Sequence, residues 1–234
     1  MKAAISLRRI RTSLLDLLFP LRCLGCGKEG SLLCRSCSDG LPRVRQPICR
    51  CCGTSVRAGT LCPSCLSHPL SIDGIRSVLL FGGITRQAIH GLKYGHLKAI
   101  AAPLGDLLAG FMRAYPLPGD VLVPVPLHAG RLRERGYNQA ALLAKEVGRL
   151  NGLPVGEGWL VRRRDTERQA KAPSAAERRS NVQGAFTAPR ELHGESLLLI
   201  DDVCTTGATL DACASALKAA GAGPVWGLTV AREL

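Results

Sequence analysis

Four Cys-x2-Cys pairs in the first third of this chain constrain its fold more than any other feature. Nine of its eleven cysteines fall between Cys23 and Cys65. Each pair lets two thiolates reach one metal ion from a tight turn, and two pairs complete a tetrahedral Zn(Cys)4 site. The four pairs are Cys23 with Cys26, Cys34 with Cys37, Cys49 with Cys52, and Cys62 with Cys65.

The pairs therefore predict two structural zinc sites. Pairing them in sequence order closes the shorter loops, so we expect the first two pairs to form one site and the last two the other. Cys51 is left over. A disulfide framework or a redox Cys-x2-Cys is the alternative interpretation. The N-terminal apolar run is too short and contains Asp16, so no secretory signal supports disulfides.

Composition excludes several other classes of protein. The chain has 234 residues, 46 % of them hydrophobic, which rules out wholesale disorder. No run of about 18 apolar residues is present, so we expect no membrane span and a cytoplasmic protein. The net charge is +13, from 31 basic and 18 acidic residues, which indicates an anionic partner.

Residues 1–70 form the predicted zinc module. They carry 11 Lys or Arg and 3 Asp or Glu, and the module stays basic after the thiolates and zinc are counted. Phe19 is its one aromatic residue, so stacking on single-stranded bases has little support. A structural or partner-docking module is favoured over a nucleic-acid finger.

After Pro69 the composition shifts to apolar strands that alternate with helices. This order predicts residues 71–234 to be an α/β domain with a mostly parallel sheet, whose ligands bind at the carboxyl ends of the strands. Predicted strands cover 77–81, 121–123, 197–200 and 225–230; predicted helices cover 85–93, 97–115, 132–150 and 209–220.

The segment Leu197–Thr209, LLLIDDVCTTGAT, carries the strongest indication of function. A buried strand delivers Asp201 and Asp202 to its carboxyl end, and a loop of small hydroxyl residues leads into a helix. Backbone N–H groups at that helix start would hold a phosphate, and the two acids suit the hydroxyls of the sugar that carries it. We expect both carboxylates to face the crevice. The alternative is that the acids only cap the helix.

This segment resembles the phosphoribosyl-pyrophosphate (PRPP) signature of type I phosphoribosyltransferases, with Cys204 at a position that usually carries an aliphatic residue. The resemblance implies that Asp201 and Asp202 hold the ribose hydroxyls, as the catalytic acid pair. It also implies a loop that binds the 5-phosphate, made of Cys204, Thr205, Thr206, Gly207, Ala208 and Thr209.

The chain as a whole resembles the ComF family of late-competence proteins. The resemblance covers LLFPLRC, the cysteine pairs, LKYG around Lys93, PVPLH, RERGYNQA, ERRSNV and IDDVCTTGAT. In type I folds the loop after the second core strand contacts pyrophosphate, which implies Pro124, Val125 and Pro126, on through His128, together with Arg131. Arg133, Arg135, Asn138 and Gln139 are candidates to extend this basic wall, with a solvated helix face as the alternative.

Residues 162–190 are rich in charge and poor in apolar side chains, which predicts a mobile loop. In type I enzymes a loop at this place closes over PRPP and brings cations to the departing pyrophosphate. The candidates here are Arg162, Arg163, Arg164, Arg168 and Lys171. The same residues could instead grip a nucleic-acid backbone.

The implied chemistry is displacement at ribose C1 with pyrophosphate leaving, and Mg2+ carried mainly by substrate oxygens. Such a reaction requires positioning more than a strong nucleophile, so the histidines are expected to be surface or core residues. In type I enzymes a variable segment, called the hood, covers the site and selects the acceptor; here the hood would lie around residues 72–96. Two hypotheses stand: a phosphoribosyltransferase linked to natural transformation, or a non-catalytic competence factor that binds single-stranded DNA and a helicase or another DNA-processing protein.

Overall fold

The computed structural model describes residues 20–57, 60–164 and 180–233. The chain divides into two compact units, Met1–Leu41 and Pro42–Leu234. The described part of the first unit holds four of the paired cysteines and helix α1, Arg35–Asp39. An isolated bridge between Arg22 and Glu29, with a 2.9 Å ion pair between their side chains, closes its first turn.

The second unit contains the other four paired cysteines and the α/β elements. Along the chain these elements are α2 Pro63–Ser67, β1 Gly74–Leu80, α3 Gly83–Tyr94, a 3-10 turn Lys98–Ile100, α4 Ala101–Ala114, β2 Val121–Pro124, α5 Ala129–Arg135, α6 Gln139–Asn151, β3 Val161–Arg162, β4 Phe186–Thr187, β5 Leu197–Cys204, α7 Ala208–Ala219 and β6 Val225–Arg232.

Four of the strands form one sheet in the order β1-β6-β5-β2, and every neighbouring pair is parallel. The apolar run at the start of β5 explains its central place, because a parallel strand buried on both faces has no polar side. Pairing with β6 continues to Cys204 opposite Arg232, so β5 is longer than the predicted 197–200.

Helices cover both faces of this sheet. On one face α6 packs on β2 and β5, and α4 packs on α6. Gly148 of α6 lets the helix lie close to Leu122 of β2. On the other face α7 packs on β5 and β6, where Gly227 leaves room for Leu210. The predicted fold class, a mostly parallel α/β sheet with a zinc-ribbon front, is confirmed. The proposed boundary at residue 70 stays a prediction.

The prediction of one helix over 132–150 was wrong, because two helices cover this segment. Gly136 adopts φ 75° and ends α5, and the Asn138 side chain accepts a hydrogen bond from the Ala140 N–H to start α6. Between them Tyr137 is buried and donates a 2.5 Å hydrogen bond to the Leu92 carbonyl. The break therefore anchors the loop to α3.

The prediction that residues 162–190 form one mobile loop was wrong at its ends. Val161–Arg162 pairs antiparallel with Phe186–Thr187, and the Arg163 N–H donates to the Ala185 carbonyl at 2.8 Å. Val182, Ala185 and Phe186 are buried in the main core. The segment has few apolar residues, but these three are buried, and they attach this end of it to the core. Arg168 and Lys171 lie outside the described residues.

Candidate functional site

The two adjacent acids of β5 lie within the strand, and not at its end. Successive strand residues start toward opposite faces of a sheet, yet the carboxyl groups of Asp201 and Asp202 share a side-chain hydrogen bond. Asp202 also contacts Lys93 from α3. That both carboxylates face one crevice stays a prediction.

Asp202 has a cationic partner. The Lys93 ammonium lies 2.6 Å from a carboxylate oxygen of Asp202, in an ion pair that lacks the alignment of a hydrogen bond. Burial raises the pKa of Asp202, but the Lys93 charge together with hydrogen bonds from the Asp201 and Lys93 side chains leaves the pKa below its usual value. Burial likewise lowers the pKa of Lys93, and Asp202 more than restores it, so that it lies above the ordinary value. Both groups are charged at neutral pH.

Asp201 has the opposite electrostatics. Its carboxylate accepts a 2.8 Å hydrogen bond from the Asp202 N–H. Burial, and then the negative charge of Asp202, raise the pKa of Asp201 well above its usual value. A protonated carboxyl both donates and accepts hydrogen bonds. Asp202 is therefore the more acidic group of the pair.

The predicted phosphate loop joins β5 to α7. Gly207 precedes the helix with φ 84°, a conformation that glycine adopts without strain, and a Cβ there would lie 2.8 Å from Ile75 Cδ1. The Thr206 hydroxyl accepts a hydrogen bond from the Ala208 N–H at 3.3 Å. Cys204 and Ala208 are buried, and Thr205 and Thr206 are partly exposed. The loop is a tight turn at the start of a 12-residue helix.

The predicted pyrophosphate segment follows β2. Val125 is buried, its N–H donates to the Ile200 carbonyl at 3.0 Å, and its own carbonyl accepts from the Asn138 side chain at 3.0 Å. Pro124 is the last residue of β2, and Pro126 is half-buried. His128 caps α5 by accepting a hydrogen bond from the Gly130 N–H at 3.3 Å.

A cavity of about 180 Å³ brings three cationic side chains together, one of which contacts Asp202. It contains Lys93 of α3, which contacts Asp202, and Arg131 and Arg135, one turn apart on α5. Its lining is completed by Tyr94, His96 and Glu134. The Arg135 guanidinium lies 5.3 Å from the centroid of the Tyr94 ring.

The candidates for a basic wall have different roles in the structure. Arg131 and Arg135 line the cavity, whereas Arg133 is exposed, as the alternative of a solvated face predicts. Asn138 caps α6, and Gln139 is buried and accepts a hydrogen bond from Arg135. The periodicity of the sequence could not separate these roles. They depend on the end of α5 at Gly136 and the start of a new helix after Asn138.

The paired cysteines form two clusters in the predicted sequence order. Within each cluster the four sulfur atoms all lie within 4.8 Å of one another; the first is Cys23, Cys26, Cys34 and Cys37, the second Cys49, Cys52, Cys62 and Cys65. Cys51 belongs to neither cluster. The Cys34 N–H points at Cys23 Sγ at 3.4 Å, and backbone hydrogen bonds from Cys34 and Cys26 lower the pKa of Cys23 to about 6.

These clusters fit zinc. Burial raises the pKa of Cys49, yet backbone hydrogen bonds from Cys62 and Cys52 lower it to about 6. Burial and the neighbouring Cys52 raise the pKa of Cys65. Four thiolates this close repel one another unless a cation lies between them, and tetrathiolate zinc sites are of this kind. The two tetra-cysteine sites are consistent with structural zinc.

Sequence comparison agrees with this architecture. A family model described as a double zinc ribbon domain matches residues 14–66. Competence protein ComFC of Bacillus subtilis (strain 168) is 31 % identical over 197 residues, which cover 81 % of this chain and 79 % of that protein. The chain belongs to the ComF family.

Other relatives extend the ComF match over nearly the whole chain. Competence protein F of Haemophilus influenzae is 30 % identical over 228 residues, 90 % of this chain and 97 % of that protein. DNA utilization protein YhgH of Escherichia coli (strain K12) is 30 % identical over 200 residues, 82 % of this chain and 87 % of that protein. Among solved structures, a purine phosphoribosyltransferase from Pyrococcus horikoshii Ot3 aligns at 16 % identity and a TM-score of 0.34, over 56 % of this chain and 80 % of that one.

Within the described ranges of this ComF chain, no helix is long and apolar enough to cross a membrane. Two residues of the site were missed by the reasoning from sequence. Lys93 was noted in LKYG without a role, and Arg232 was not singled out. Arg232 is buried at the end of β6 and donates to the Thr205 carbonyl at 3.2 Å. A charged residue after the apolar run of β6 was the signal that could have found it.

Proposed function

We propose that this ComF chain binds PRPP at the carboxyl edge of its parallel sheet and transfers the phosphoribosyl group to an acceptor nucleophile, with pyrophosphate as the leaving group. One observation carries the proposal: Asp202 of the acid pair contacts Lys93, one of three cationic side chains that line a cavity, and the Thr205–Thr209 loop follows the acid pair along the chain. A sugar that carries a phosphate at one end and a pyrophosphate at the other matches this distribution of charge.

The 5-phosphate would bind at the start of α7. Backbone N–H groups and the positive end of the helix dipole favour an anion there. Thr205, Thr206 and Thr209 add hydroxyl groups. The tight turn at Gly207 keeps the loop backbone free of a Cβ.

The ribose hydroxyls would meet the acid pair. Asp202 would accept from one hydroxyl, and Asp201 in its protonated form would both donate and accept. The two carboxyl groups share a side-chain hydrogen bond, so the sugar would meet them together. Lys93 keeps Asp202 ionised before the ligand arrives.

The pyrophosphate would lie in the cavity with Arg131, Arg135 and Lys93. Cations held in place before the reaction stabilise the negative charge that develops on a departing group. Mg2+ would enter as part of the substrate, bound to pyrophosphate oxygens and water. Glu134 is the carboxylate that lines this cavity, so a substrate-borne ion would meet few protein ligands there. The acceptor would enter past the hood around residues 72–96.

Calorimetric titration with PRPP, with and without Mg2+, tests the proposal. Asp202→Asn and Asp201→Asn each remove hydrogen bonds to the ribose, and each should weaken PRPP binding roughly ten- to a hundredfold. Asp106→Asn, an exposed position on α4, is the matched control and should bind as the wild type does. Equal affinity in the wild type and the double Asn variant would contradict the role of the acid pair.

A second candidate function is single-stranded DNA binding without turnover. The net charge of +13 favours it, and all three relatives described above carry competence or DNA utilization in their names. A competence helicase or another DNA-processing protein is the proposed partner, in the cytoplasm and in natural transformation. Pyrophosphate release from bound PRPP, measured with and without single-stranded DNA, separates the two: binding without release identifies the non-catalytic factor.

A further inference from the structure

Arg232 connects the second cysteine cluster to the phosphate loop. Its side chain is 3 % exposed at the end of β6. One terminal nitrogen donates to the Thr205 carbonyl at 3.2 Å, and the other donates to the Cys52 carbonyl and contacts Cys204 Sγ at 3.2 Å. A single buried guanidinium thus bonds the backbone of a cluster cysteine and the backbone of the loop.

This guanidinium has no carboxylate partner among the residues that the structure describes, and its Nε has no hydrogen-bond partner there. An arginine does not lose its charge in a protein, so burial requires a counter-charge nearby. Four thiolates and one Zn2+ carry a net charge of about −2. The metal-loaded second cluster supplies that counter-charge beside Cys52.

A second arginine contacts the same cluster from β1. Arg76 donates to the Arg50 carbonyl at 3.0 Å and to the Ile75 carbonyl at 2.8 Å. Together, Arg76 and Arg232 carry the two positive charges that balance a zinc tetrathiolate. Arg232 alone of the two also bonds the phosphate loop.

The backbone of β1 reinforces this connection. The Ile75 N–H donates to the Cys51 carbonyl at 2.6 Å, and the Ile75 side chain fills the space where a Cβ of Gly207 would lie. A change in the fold of the cluster would therefore move the residue that packs against the loop turn.

We propose that Arg232 is a positioning residue that couples metal occupancy of the second cluster to the geometry of the Thr205–Thr209 loop. Resting on the proposed function, this makes PRPP affinity dependent on zinc at Cys49, Cys52, Cys62 and Cys65. Loss of the metal loosens the fold of the cluster and releases the Cys52 carbonyl that the guanidinium bonds. The Thr205 carbonyl then loses a fixed donor.

Such coupling is reciprocal. If zinc raises the affinity for PRPP by some factor, then PRPP raises the affinity of the second cluster for zinc by the same factor. Typical coupling between sites is about 5- to 150-fold. The prediction needs no catalytic turnover, because both quantities are binding equilibria.

The experiment measures both equilibria on the zinc-loaded full chain. PRPP binding is measured by calorimetry, and zinc retention by equilibrium competition with a chromophoric chelator, with and without saturating PRPP. A variant that lacks the first site, Cys26→Ser with Cys34→Ser, assigns the zinc that remains to the second cluster. We expect PRPP to raise the chelator concentration needed to strip that zinc by roughly tenfold.

Arg232→Met should weaken PRPP binding roughly tenfold and abolish the protection of zinc by PRPP. Arg232→Lys keeps the charge and should restore part of both. Arg76→Met is the matched control: it removes a cation beside the same cluster without touching the loop, so PRPP affinity and protection should persist.

Two outcomes separate this inference from the function on which it rests. A wild-type chain that does not bind PRPP contradicts the proposed function, and with it the coupling. A wild-type chain that binds PRPP while its zinc retention is insensitive to PRPP contradicts the coupling alone. The second result stands on the wild type, so it remains decisive if Arg232→Met does not fold.

Discussion

The Lys93 ammonium of α3 lies 2.6 Å from the Asp202 carboxylate of β5, although Asp201, the neighbouring residue, has no such cationic contact among the described residues. The two acids of one sequence motif therefore differ in acidity: the pKa of Asp202 is lowered, and that of Asp201 is raised. Substitutions that are identical in chemistry should have opposite effects on stability at these positions.

Asp202→Asn should destabilise the protein. It leaves the Lys93 cation without its partner, which costs about 2 kcal/mol, less than a fully buried pair loses because 24 % of the Lys93 side chain is exposed. Denaturant unfolding measures this. Lys93→Met with Asp202→Asn should cost less than the two single changes added together. Simple additivity would show that the ion pair does not contribute.

Asp201→Asn should stabilise the protein at neutral pH. The pKa of Asp201 is raised in the folded state, so the unfolded chain loses this proton first as pH rises, and stability falls until the folded form also ionises. The substitution removes that loss, so the free energy of unfolding should rise by about 1 kcal/mol or more at pH 8 and should not change below about pH 4. Unfolding measured from pH 4 to 8 without ligand tests the sign; a gain independent of pH would contradict it.

Metal analysis should find two zinc ions per chain. Cys26→Ser should lose one of them and leave the α/β secondary structure intact. Cys65→Ser should lose the other and also lower the melting temperature of the α/β unit, because its cluster lies in the same compact unit. Cys51→Ser is the control and should retain both ions. One zinc in the wild type, purified under reducing conditions without chelator, would overturn the two-site assignment.

Gly207→Ala should impair PRPP binding. The substitution forces a side chain into φ 84° and places its Cβ 2.8 Å from Ile75 Cδ1, which must displace either the loop or β1. Gly194→Ala imposes a similar φ of 89° with nothing within 4 Å of the new Cβ. Each change should cost about 1–2 kcal/mol of stability, but only Gly207→Ala should weaken PRPP binding in calorimetry. Equal PRPP binding by both variants would contradict the assignment of this loop to PRPP binding.

If the basic segment 162–179 binds single-stranded DNA, the affinity should fall steeply as salt rises, and the binding should show little sequence preference. Fluorescence anisotropy with a labelled oligonucleotide measures the slope of affinity against salt. Arg168→Gln with Lys171→Gln should lower that slope by about one for each phosphate contact removed. Arg149→Gln, an exposed arginine of α6 paired with Glu146, should not. Binding that is insensitive to salt would assign the competence role to protein contacts.

The parts of the fold and the site that sequence predicted depend on local spacing. The cysteine clusters follow from short loops, and the buried β5 follows from its apolar run. The orientation of Asp202 could not be predicted, because it depends on how far β5 pairs with β6. Arg232 lies 180 residues from the Cys52 carbonyl that it bonds, so no local pattern reports that contact. The break at Gly136 was readable in principle, from a glycine followed by an Asn cap.

The short antiparallel ladder of β3 and β4 has a consequence for how this chain can vary. It holds the two ends of the segment between them at one point on the body of the protein, with Val161 opposite Thr187 and Arg162 opposite Phe186. The ladder therefore fixes the distance between the ends of that segment, whatever its length. Changes of length between relatives that spare Val182 and Ala185, which are buried in the main core, would leave the register of the sheet intact.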